Sequence, residues 1–60
     1  MNLDNIKNLL KERNKTVREF EEEVGISRGS FYKWDKHDPS YKTLQKAADV
    51  LEVSIEKLIE

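Results

Sequence analysis

Thr16 to Trp34 reads TVREFEEEVGISRGSFYKW, and this stretch decides the fold. Val17, Phe20 and Val24 recur at helical spacing until Gly25 interrupts the run. Ile26 and Ser27 follow, and Phe31 and Trp34 then lie on one face of a second helical pattern. Thr16 opens the first of these helices, with Glu19 three residues on, the signature of a capping box. Gly25 lacks a Cβ and so takes the left-handed conformation that ends a helix at low cost. Ser27 is read as the cap of the second helix, which is expected to run to about Lys36. Two short helices joined by a tight glycine turn make a helix-turn-helix, whose second helix can enter a DNA major groove.

Working outward, three more helices fit. The first spans about Leu3 to Arg13, capped by Asn2 or Asp4, with Ile6, Leu9 and Leu10 as its apolar stripe. After the connector HDPS, Pro39 stops continuation and Ser40 caps a helix over about Tyr41 to Leu51. Leu44, Ala47, Ala48 and Leu51 share one face there, and the two alanines imply close helix approach. A last short helix is capped by Ser54 and is expected to bury Ile55, Leu58 and Ile59. No strand-like alternation or internal repeat interrupts this pattern. The fold class expected is an all-α, compact five-helix domain over residues 1–60.

Sixty residues without cysteine leave no disulfide or thiolate metal site to brace so small a core. No apolar run reaches the roughly 18 residues of a membrane span, and the start MNLDNIKNLL lacks the order of a secretory signal. A soluble cytoplasmic protein is expected.

The formal net charge of -1 does not advertise a nucleic-acid partner, but it is unevenly placed. Residues 1–18 sum to +3, residues 19–26 to -4, residues 27–46 to +3 and residues 47–60 to -3. A local positive field can steer association with phosphate, whereas charges that merely solvate helix surfaces would give similar blocks. Charge alone does not decide between them.

At about 100° per residue, Phe31 and Trp34 set the buried direction of the third helix, with Ser27 and Ser30 beside them. The opposite face reads Arg28, Gly29, Tyr32, Lys33 and Lys36, without an acid. Arg28 can donate two hydrogen bonds to guanine N7 and O6, and Lys33 can reach the same edge or a phosphate. Tyr32 offers a ring to a thymine methyl or packs on a neighbouring helix. Gly29 is unusual in a first helical turn, where glycine costs about 1 kcal/mol against alanine. Either its missing side chain lets the backbone approach DNA, or the helix end tolerates it. His37, the sole histidine, has no partner for metal or catalytic work, and no nucleophile elbow or phosphate loop is present. The expectation is no enzyme, no cofactor, no metal and no small-molecule ligand.

The pattern T-x-x-E-F-x-x-x-V-G-I-S-x-x-x-F-x-x-W-D, followed by PS, T-L and V-S-I-E-K-L-I, resembles the lambda-repressor-like helix-turn-helix domains. These include phage repressors, Cro proteins and bacterial Xre-type regulators. The resemblance covers Ile6 to Ile59, and KWDKHDPSYKTLQKAADVLEVS is most similar to repressors of Gram-positive phages and prophages. It implies a DNA-binding transcription regulator, usually a dimer, that represses from operator DNA. Carried onto this chain, the base-reading positions are Arg28, Gly29, Ser30, Tyr32 and Lys33. The phosphate-contacting positions are Thr16, Val17, Lys36, His37, Tyr41, Lys42 and Thr43.

Four residues depart from the pattern. Val17 stands where glutamine commonly clamps phosphate. Glu21 replaces a small alanine at the contact between the two helices, and with Glu22 and Glu23 it is expected to keep its charge in water. Leu10 removes an arginine partner for Asp35, and Lys15 replaces a leucine. An antitoxin or restriction-modification controller, or a protein-interaction module such as an antirepressor, would share the fold. Ile55, Leu58 and Ile59 form a homodimer seam or simply close the core, and the chain is a whole small regulator or the N-terminal domain of a longer repressor.

Overall fold

Each helix begins where a side-chain oxygen is available to its first free amides. In the computed structural model, which describes all 60 residues, Asn2 Oδ1 accepts from the Asp4 amide at 2.8 Å and opens α1, Leu3–Glu12. Thr16 and Glu19 form the complete capping box of α2, Val17–Val24, with reciprocal bonds of 3.1 and 2.9 Å. Ser40 caps α4, Tyr41–Leu51, and Ser54 caps α5, Ile55–Ile59. Between α2 and α4 lies α3, a single turn over Ser30–Lys33.

Three helices end alike, on a left-handed residue. Asn14, Gly25 and Glu52 have φ of 52°, 88° and 57°. After each, the next amide reaches back to the last turn: Lys15 to the Leu10 carbonyl, Ile26 to Glu21 and Val53 to Ala48. These bonds satisfy carbonyls that a helix end otherwise leaves open.

The core joins all five helices. Ile6, Phe20, Phe31, Ala47, Ala48, Leu51 and Leu58 are fully buried, with Leu3, Leu9, Leu10, Val24 and Trp34 nearly so. Phe20 meets Phe31 and Trp34 edge-on at 5.7 and 6.0 Å between ring centroids, and Phe31 meets Trp34 at 5.5 Å. Edge-to-face pairs of this kind add about 0.5–1.5 kcal/mol each beyond area burial. A one-turn helix cannot persist alone, so the two aromatics of this triad that follow Gly29 supply much of what holds α3. Ala47 and Ala48 let α4 lie close to α2, the helix with which it shares its largest interface. Asn5 joins the ends of the chain by donating to the carbonyls of Lys57 and Leu58. No helix is long and apolar enough to cross a membrane.

Two expectations need correction. The third helix starts at Ser30 and not after Ser27, because Gly29 has φ +89° and the chain cannot be helical through it. Backbone turns do carry on past Lys33, whose carbonyl accepts from Lys36 and His37. Leu58 is buried in the core of its own chain, so it cannot belong to a seam between copies. Ile59 is 53% exposed and Ile55 half-buried.

Candidate nucleic-acid interface

The turn between α2 and α3 is built around Glu21. Its carbonyl closes α2 by accepting from Gly25 and Ile26 at 2.9 and 3.0 Å. Its side chain, 3% exposed, opens α3: Oε2 accepts from the amides of Gly29 at 2.9 Å and Phe31 at 3.0 Å. The expectation that Glu21 stands in water is therefore wrong, since two free amides at the start of α3 solvate its carboxylate in the protein interior. Ser27 does not cap an amide with its side chain. Its hydroxyl lies 2.6 Å from that of Ser30, and its carbonyl accepts the Ser30 amide at 3.0 Å.

Gly29 is explained by its backbone. At φ +89° an L side chain is strained, although a Cβ there would meet nothing within 4 Å. Neither a tolerant helix end nor close approach to DNA is needed to account for it.

Among the positions assigned to base reading, Arg28, Tyr32 and Lys33 are exposed, and Gly29 and Ser30 are half-buried. Tyr32 leans its ring on Phe31 at 5.4 Å yet stays 55% exposed, so it packs within α3 and still presents its hydroxyl end. Among the phosphate positions, Thr16, Lys36, His37, Tyr41 and Lys42 are exposed. Thr43 is half-buried, its hydroxyl 3.0 Å from that of Ser40. Val17 is half-buried against the core.

Hydrogen bonds and ion pairs separate the charge blocks. Every carboxylate of the acidic block is engaged internally: Glu19 in the capping box, Glu21 on α3, Glu22 with Arg18 at 3.3 Å and Glu23 with Lys15 at 2.6 Å. Bonds from Thr16, backbone first and hydroxyl second, hold the Glu19 carboxyl below its ordinary range, with help from the Lys15 charge. By contrast Arg28, Lys33, Lys36, Lys42 and Lys46 are all exposed, and none forms an ion pair. Asp38, one of two acids in that segment, receives the Met1 ammonium at 2.9 Å. Exposed pairs contribute little stability, but they cancel field where they form. The segment from Arg28 to Lys46 keeps its positive field.

Sequence reasoning missed Glu21 as a cap and Asn5 as a brace. The signal for the first was a second glycine four residues after Gly25, a position where a helix interior would not place one. Nothing in local sequence points from Asn5 to α5. No group of three His, Cys, Asp or Glu side chains is placed to hold a metal ion.

No curated protein and no solved structure gave a match. A family model described as a helix-turn-helix domain matches residues 4–60. The match takes in the α2–turn–α3 unit and every helix around it, and the chain belongs to the helix-turn-helix domain family.

Proposed function

We propose that this chain is a sequence-specific DNA-binding transcription regulator of the phage or prophage repressor kind, which reads operator DNA in the major groove with α3 and the residues just before it. The observation that carries the reading is the contrast between an acidic block whose four carboxylates are each engaged within the protein and five exposed, unpaired cations from Arg28 to Lys46. Arg28 and Lys33 address base edges, with Tyr32 beside them. Ser30 and Gly29 line the approach. Lys36, His37, Tyr41, Lys42 and Thr43 contact one stretch of phosphates, and Thr16 with the backbone amide of Val17 contacts another at the start of α2.

Two copies are proposed to bind together. Ile55 and Ile59 line an open groove with Gln45, Ser54 and Glu56, and Ile59 is 53% exposed.

Selection of bound duplexes from a random library, at stated salt, tests this function. A recurring motif enriched over successive rounds is the expected result. No enrichment even at about 50 mM salt, where phosphate contacts are strong, would refute it.

A further inference from the structure

Glu21 is the one charged residue in the core, and burying a carboxylate costs several kcal/mol unless hydrogen bonds replace its water. Here Oε2 takes two amides. No buried side-chain nitrogen or oxygen lacks a partner, so Oε1, which takes no bond from the protein, is reached by solvent. The first four amides of the α3 region are all occupied: Gly29 and Phe31 by Glu21, Ser30 by the Ser27 carbonyl and Tyr32 by the Gly29 carbonyl. The two amides that Glu21 holds alternate along the chain with Arg28, Ser30 and Tyr32.

We propose that Glu21 is a positioning residue for base reading. Its buried carboxylate fixes the left-handed turn at Gly29, and with it the directions in which Arg28 and Tyr32 leave the backbone. It also fills the amide donors that the start of α3 would otherwise offer to DNA, so that recognition falls to side chains. This rests on the DNA-reading function proposed above.

The geometry separates positioning from simple stabilisation. Glutamine keeps an oxygen at the same reach, so Glu21→Gln retains both bonds. Glu21→Asp keeps the charge but is one methylene shorter and loses the reach, and Glu21→Ala orphans both amides. A residue that only stabilised the fold would scale binding to operator and to random duplex by the same folded fraction, leaving their ratio unchanged.

The test measures affinity for a selected operator and for a random duplex, well below each variant's Tm. The ratio for Glu21→Gln is expected within about threefold of the original. Glu21→Asp and Glu21→Ala should lower it by about 5- to 150-fold, the range for losing one bidentate base contact. Unchanged ratios in Glu21→Asp and Glu21→Ala overturn the proposal, as does a Glu21→Gln ratio as low as theirs. Amide exchange on the unaltered protein tests it without any variant. Gly29 and Phe31 should be protected in the free protein and remain so with operator bound. Exchange at the rate of an unstructured chain would overturn the tether even if every variant failed to fold. If the unaltered protein shows no operator preference, the DNA-reading function itself fails, a result distinct from a preference that the variants retain.

Discussion

Gly29→Ala separates two accounts of one residue. At φ +89° alanine pays about 1–2 kcal/mol for the left-handed backbone. It recovers about 0.4–1 kcal/mol because the unfolded chain loses freedom. No packing term enters, since a Cβ at this position meets nothing within 4 Å. The net expectation is a loss of about 1 kcal/mol, or roughly 4–8 °C in Tm for a domain of this size. Asparagine tolerates the left-handed region better than alanine, so Gly29→Asn should lose about half as much. Thermal unfolding followed by circular dichroism measures both. If glycine were present only to let DNA approach, Gly29→Ala would be as stable as the original or more so, with the loss confined to operator affinity. An unchanged or raised Tm in Gly29→Ala would refute the backbone account.

Other expectations follow from particular contacts. The Glu19 carboxyl is held low in the folded state, so the unfolded chain binds the extra proton first as pH falls. Its contribution is whole above the ordinary value of 4.5 and is lost as pH drops through the lowered folded value; Glu19→Gln should flatten Tm against pH across that window. Leu58→Ala should cost about 2–5 kcal/mol in denaturant unfolding, as for other fully buried leucines. Ile59→Lys should leave Tm nearly unchanged and weaken any self-association seen by sedimentation, and unaltered association would remove Ile59 from the seam. Glu52 sits at φ +57° as the cap of α4, so Glu52→Gly should stabilise by about 0.5–1 kcal/mol.

Much of the fold was legible because its signals are local. Thr16 with Glu19, Ser40, Ser54 and Gly25 fix four helix boundaries through bonds within a few residues. Phe31 and Trp34 were placed in the core by spacing, and the paired alanines of α4 by their size. The start of α3 is not legible in the sequence, because residue type alone does not reveal the sign of φ at Gly29. Residue type alone sends Glu21 to solvent, where a glutamate usually belongs, whereas the amides that hold it in the interior lie eight and ten residues along the chain. Helical spacing does not decide between core and seam for Leu58, because it marks an apolar face without saying what covers it. The charge blocks were visible in sequence. Which cations remain free depends on contacts such as that of Lys15, in the turn between α1 and α2, with Glu23 near the end of α2.

Arg28 and Lys33 are proposed to read bases while Lys42 holds phosphate. Fluorescence anisotropy titrations of Arg28→Ala, Lys33→Ala and Lys42→Ala, against a selected operator and a random duplex at two salt concentrations, test it most directly. The first two variants should lower the operator-to-random ratio by about 5- to 150-fold each, equivalent to about 1–3 kcal/mol of base discrimination. Lys42→Ala should weaken both duplexes equally and reduce the slope of log K against log salt by about 1. Arg28→Ala and Lys33→Ala proteins that kept the original ratio would show that neither side chain reads a base.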